Sequence, residues 1–412
     1  MKLNSIPPNN LIDTLSSTQK KVARFVNLQE SEADLAGQRI GQELLTNTLP
    51  KSLFARSPVD FADNIFREVF ENIIVYLGPK FVGEKIARQY ASQGLKADLK
   101  DMVAKPASEL MKEKNAHNKV LMPVKAAIAV FALAIPLAEY ALSYVKNLFT
   151  LKMFKQADFN NIANLNKDKK EDVQHQEYVK QSAKKHIKLA GGLFAGCLGV
   201  VALLATKGKN SKVLNNISEA ILAPGSKFFK NNEKRANFVN KYFGLDFRNK
   251  NGKLAISNGQ VTACVVAGFF GYIGAAKDRG KQDYKEILYR FPLVGFYAIS
   301  GNELFKDGLK KLLSKNEKYK EIFDAEKQNK GIMPKLTELD GFARRLAVKN
   351  GTSAEVEFKK LFKQKATLIG APALFGFTVM GLFVAGCSRY FTQYRYNKDL
   401  EQQNKTGKDI IQ

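Results

Sequence analysis

Residues 125–146 read Lys-AAIAVFALAIPLAEYALSYV-Lys: twenty residues carrying one charge, Glu139, between two lysines. A helix rises about 1.5 Å per residue and bilayer hydrocarbon is roughly 30 Å thick, so such a stretch just reaches across. The flanking lysines mark where the chain returns to water, because a charge held in hydrocarbon is costly. Three further windows repeat the design with no charge at all. They are Leu189–Thr206 between Lys188 and Lys207, Leu254–Ala276 between Lys253 and Lys277, and Ala366–Ser388 between Lys365 and Arg389. The pattern predicts an all-α, polytopic membrane protein with four transmembrane helices, long extramembrane helices and a helical N-terminal region.

Working outward, the chain divides into four segments. Residues 1–115 read as a soluble helical region. Its best element opens at Ser57-Pro58, an N-cap hydroxyl followed by proline at the first helical position. Phe61, Ile65, Phe66, Val69, Phe70, Ile73, Ile74 and Leu77 then recur at helical spacing. Asp60, Asp63, Arg67, Glu68 and Glu71 take the opposite face, and Gly78-Pro79 is the expected stop. The apolar face is expected to be covered, by neighbouring helices first or by the membrane surface, with the acids on the polar side making docking on anionic lipid the poorer choice. Residues 116–276 form a membrane region of three spans and two basic loops. Residues 277–365 read as basic amphipathic helix, with Phe291–Asn302 too short to cross but suited to a re-entrant or interfacial piece. Residues 366–412 supply the last span and a charged tail. The run Thr352-Ser353-Ala354-Glu355 has the spacing of a capping box leading into it.

The net charge is +26 over 412 residues, carried by 52 Lys and 13 Arg. A soluble domain this basic would point to nucleic acid. Here the charge lies beside membrane spans, and Lys outnumbers the bidentate Arg that phosphate readers favour. Anionic lipid headgroups are therefore the expected partner, with a protein partner or self-association second and nucleic acid unlikely. Cys197, Cys264 and Cys387 all lie inside uncharged windows, which excludes a disulfide framework and clustered thiolate ligands. Three histidines without ligand spacing leave no metal or cofactor site. No phosphate loop and no nucleophile elbow is present, so no enzymatic activity is expected. The first ten residues hold no signal peptide, which places the N-terminal region in the cytoplasm and the protein in a plasma or bacterial inner membrane.

Glu139 is the candidate intramembrane polar site. Its residues leave two readings: at depth it needs a partner, whereas a span starting near Val120 would bring it to the headgroups, where it needs none. Gly192 and Gly196, at GxxxG spacing, and Gly268 and Gly271 are candidate helix-packing positions. Lys227, Lys230, Lys234, Arg235 and Lys241, interleaved with Phe228, Phe229, Phe238 and Phe243, are candidate contacts to anionic lipid. The positive-inside rule does not orient the spans, because 146–188 holds 10 Lys and Arg and 207–253 holds 11. Four crossings with both termini inside are the expected topology. The leading expectation for function is a structural or interaction bundle with basic lipid- or partner-binding helices. The alternative is a small transporter or channel subunit built on Glu139, Pro136, the polar entry Asn258, Gln260 and Thr262, and a re-entrant 291–302. A membrane-tethered nucleic-acid binder is third.

Overall fold

The computed structural model describes residues 10–30, 40–41, 43–77, 105–112, 118–166, 171–246, 248–250, 253–255, 257–329 and 331–406. The expected stop at Gly78-Pro79 lies outside them. Apart from a short antiparallel ladder, Arg248–Lys250 with Lys253–Ala255, the regular structure among these residues is helical. Four helical runs are long and apolar enough to cross a membrane: Leu121–Phe154, Val173–Lys207, Asn258–Arg279 and Ala354–Lys405. They contain three of the four windows read from the sequence whole; the window Leu254–Ala276 is helical only from Asn258, its Leu254 and Ala255 lying in the short ladder.

The chain forms two compact units that do not follow the linear division. One joins residues 1–45 to 300–378. Its core holds Leu11, Leu15 and Ala23 from the N-terminal end with Ile322, Leu339, Ala343, Phe358, Leu361 and Phe362. Ser353 caps the helix Ala354–Phe375 by accepting from the Val356 N–H at 3.3 Å. Thr352 donates to Glu357 at 2.8 Å, so the cap rests on Ser353 rather than on the expected Thr352–Glu355 pair.

The other unit, residues 46–299 and 379–412, holds the bundle. Its helices are α1 (Pro58–Glu71, prolonged by a π-helical turn to Leu77), α2 (Asn118–Ala132), α3 (Ala134–Phe154), α4 (Val173–Lys207), α5 (Lys212–Leu222), α6 (Glu233–Phe243), α7 (Asn258–Arg279), α8 (Lys281–Phe296) and α9 (Val384–Thr406). The break between α2 and α3 falls at Leu133, one turn before Pro136, whose missing N–H cannot complete the ladder.

Contacts fix the direction of each helix. Ser57, the N-cap of α1, donates to the Ile162 carbonyl beyond the far end of α3, and Arg67 meets Glu139, so α1 runs against α3. His186 of α4 meets Tyr140 and Tyr144, while Gly208 abuts Pro123, so α4 also opposes α2 and α3. Asn147 donates to the Ala275 carbonyl at 2.9 Å and Gly268 touches Glu139, so α7 runs with α3. After Gly280, α8 turns back along α7, with Phe291 against Phe269 and Tyr272 and Gly295 against Val265. Gln282 donates to Asp399 at 2.9 Å and Arg395 lies over Tyr289, so α9 opposes α8. From α1 to α9 the long helices alternate in direction.

Two of these helices correct the sequence reading. In α1 the charged face is the buried one: Asp63 is 3 % exposed and Arg67 2 %, whereas Phe61 and Ile73 are each 46 % exposed. Of the two expected covers, neighbouring helices leave much of the apolar face open, and residues 46–77 cluster with the bundle. In α8, Asp283, Glu286 and Arg290 are buried while Leu288, Tyr289, Leu293 and Phe296 are exposed. Phe291–Asn302 is accordingly no isolated loop piece. Its first part is the end of α8, laid along α7.

A buried chain of charges as candidate functional site

The polar faces of α1 and α8 meet α3, α7 and α9 in the middle of the bundle. Ser57 sets α1 in register: its hydroxyl accepts from the Asp60 N–H at 2.9 Å, and Pro58 occupies the first helical position. Asp60, Asp63 and Arg67 then fall at spacings of three and four, on one side of the helix.

Asp63 receives the Arg279 guanidinium through two bonds, at 2.9 and 2.7 Å, the bidentate form that gives such a pair its direction. Lys146 of α3 stands 3.1 Å from the same carboxylate, and Thr150 donates to it. One turn along, Arg67 pairs with Glu139 at 2.5 Å, with Glu71, and with Glu68 at 3.5 Å. Its guanidinium lies 3.6 Å from the centroid of the Tyr272 ring, a cation–π contact of the stronger, desolvated kind. Lys51 pairs with Glu68, and Asn47 links Glu68 to Arg290 at 3.0 and 3.1 Å. On the other side of Asp63, Asp60 holds Arg389 of α9 at 2.5 Å and Arg56, and Arg56 reaches Glu286 of α8 at 3.0 Å.

These side chains form three ion-paired groups along α1: Asp60 and Glu286 with Arg56 and Arg389, Asp63 with Lys146 and Arg279, and Glu68, Glu71 and Glu139 with Lys51, Arg67 and, through Asn47, Arg290. With the buried Asp283 of α8 they number seven of each sign. Isolated charges at this depth would be expelled; a balanced, hydrogen-bonded set is retained because each partner offsets the desolvation of the next. No known protein family, curated protein or solved structure matches the chain. The functional reading therefore rests on this geometry.

Of the residues singled out in the sequence, Glu139 sits inside the chain of charges. It is 3 % exposed and has the Arg67 guanidinium as a partner. Gly268 and Gly271 line the α3–α7 contact; a Cβ on Gly271 would come within 2.6 Å of the Tyr140 carbonyl oxygen, and one on Gly268 within 3.2 Å of Glu139. Gly192 and Gly196 differ: a Cβ on either meets nothing within 4 Å, so their GxxxG spacing brings no other helix close among the described residues. Gly271→Ala is expected to cost about 1–3 kcal/mol through overpacking. Gly192→Ala is expected to be neutral or slightly stabilising, since alanine favours a helix by about 1 kcal/mol over glycine. Thermal unfolding of the two variants in detergent compares them directly.

Asn258, Gln260 and Thr262, read as a polar entry, serve the helix itself. Ser257 and Gln260 make a reciprocal capping box, and Thr262 donates back to the Asn258 carbonyl at 2.8 Å. Lys227 is tied to Glu219 and, at 2.8 Å, to Asn216. Lys230, Lys234, Arg235 and Lys241 are exposed, with Lys241 over the Tyr242 ring at 5.2 Å.

The residues that sequence reasoning missed are Asp63, Arg67, Lys146, Arg279 and Arg290. Their signal was present: acids and bases at helical spacing in a segment whose opposite face is phenylalanine and isoleucine. That pattern fits a soluble amphipathic helix and an inverted membrane helix equally well.

Proposed function

We propose that the protein is a membrane transporter or channel subunit whose working core is the chain of charges around Glu139. The observation that carries this reading is the inversion of α1 and α8, with apolar side chains outward and ionisable ones gathered within. Ionisable groups at membrane depth are a functional site by default, because their cost is borne only where they act. The formal charges balance, so the core attracts no resident ion of one sign. Charge moves through it by exchange of partners within and between the three ion-paired groups and by proton transfer between their carboxylates, which makes the proton the expected cargo or coupling ion. Pro136 and the break at Leu133 place a point of bending one turn from Glu139.

The test is the full chain reconstituted in liposomes with a trapped pH dye and an imposed potassium diffusion potential. Wild-type protein is expected to conduct or exchange protons, and Glu139→Gln to abolish it while Arg67 keeps Glu71 and Glu68 as partners. A wild-type preparation that moves no protons in either direction removes this reading.

In the same proposal α1 with its π turn (58–77, 20 residues) and α8 with its continuation (281–299, 19 residues), each about 30 Å long, cross beside the apolar helices α2–α3, α4 and α7. Their charges are hidden from lipid by pairing. Alternating directions then put the end of α1, the start of α2, the end of α4 and the start of α7 at one end of the bundle; the sequences that join them, 78–117 and 208–257, carry eight and ten Lys and Arg. The other end carries 155–172, with four. The positive-inside rule, which failed for four crossings, now points to the first end as cytoplasmic. Protease-cleavable tags near Lys169 and Lys234 in sealed, right-side-out vesicles are expected to meet opposite fates, the first cut and the second shielded.

A further inference from the structure

Between α4 and α7 the chain folds into a cap on one end of the bundle. Helix α5 packs on α2 through Leu222 and Ala223. The Leu245 N–H donates to the Ile221 carbonyl at 3.0 Å. Gly225 lies under the Ala236 carbonyl, and Gly259, at the start of α7, under that of Gly244, both too close for a side chain. These approaches fasten the cap where the apolar helices begin.

On its outer side Phe228, Phe229, Phe238 and Phe243 are exposed, Phe228 by 67 % and Phe238 by 58 %. Lys230, Lys234 and Arg235 are exposed between them, and Glu233 is the sole acid from 226 to 243. In α6, Lys234, Phe238 and Lys241 fall at i, i+4 and i+7, so ring and charges share one side.

We infer that this Phe–Lys face is an interfacial anchor for anionic lipid headgroups. Four exposed phenylalanines in water are a liability, and the bases beside them call for anions. A leaflet of anionic headgroups over acyl chains supplies both within the length of a lysine side chain. Lys outnumbers Arg on the face, as suits diffuse attraction rather than bidentate phosphate reading. The inference rests on the membrane reading and is independent of transport through the charged core.

The chain has no tryptophan, so Phe238→Trp places a single reporter on the face. The full-length variant is studied in nanodiscs of phosphatidylcholine with rising phosphatidylglycerol, in which the acyl chains carry bromine near the headgroups. Emission is expected to shift to the blue and to be quenched as the anionic fraction rises. Lys230→Gln, Lys234→Gln and Arg235→Gln are each expected to weaken the affinity for anionic lipid roughly fivefold, shifting the half-maximal anionic fraction upward. Phe243→Trp is a second reporter should the first disturb α6. Water-like emission indifferent to phosphatidylglycerol and bromine overturns the inference. So does equal quenching in purely zwitterionic discs, or a response only to added single-stranded oligonucleotide. Proton flux read on the same proteins separates loss of the anchor from loss of transport.

Discussion

Arg67→Leu is expected to destabilise the bundle by about 3–5 kcal/mol, the cost of leaving buried charge without its partner. Arg67 is the shared counter-charge of Glu139, Glu71 and Glu68, carried on α1 and stacked on Tyr272 of α7. Its removal leaves acids from α1 and α3 facing one another in a water-poor interior, where they must take up protons or separate the helices. Arg67→Lys is expected to fall between, since a compact ammonium keeps one charge but loses the planar stacking and the forked bonds. The measurement is thermal unfolding of the purified full chain in detergent. The double variant Arg67→Leu, Glu139→Gln is expected to regain part of the loss, because a neutral amide no longer needs the counter-charge. Unchanged stability in Arg67→Leu would mean that water or protons already neutralise these acids, and would remove the ion pair as an organising element.

The four apolar helices were legible because a helix without charge over about twenty residues matches the thickness of a bilayer and seldom suits water. Their partners α1 and α8 were not, for a physical reason. Helical spacing of apolar and charged residues separates two faces of a helix, and it says nothing about which face meets the solvent. In α1 the phenylalanines and isoleucines were assigned to the inside by the rule for water-soluble proteins, a rule that a lipid medium, as proposed here, would reverse. Glu139 was legible as an acid within an apolar window. Its partner Arg67 was not, lying 72 positions away on a helix assigned to another domain. The basic residues of 146–188 were counted as loop, whereas Lys180, Lys184, Lys185 and Lys188 belong to the long helix α4.

Asp63 decides between a charged core that works and one that merely holds helices together. Its carboxylate binds Arg279 bidentately and Lys146 at 3.1 Å, joining α1, α3 and α7. Asp63→Asn is expected to cost about 3–5 kcal/mol, since two buried cations then face each other without an anion. Lys146→Met in the same chain is expected to restore part of this by removing one of the cations. The triple replacement Asp63→Leu, Lys146→Met, Arg279→Met is the informative one. Exchanging a complete buried ion set for apolar side chains of similar volume is often neutral or stabilising. A folded triple variant with full proton flux makes this part of the core structural. A triple variant that is as stable as wild type in thermal unfolding yet moves no protons assigns the charges to transport, because its fold remains while its ionisable path is gone.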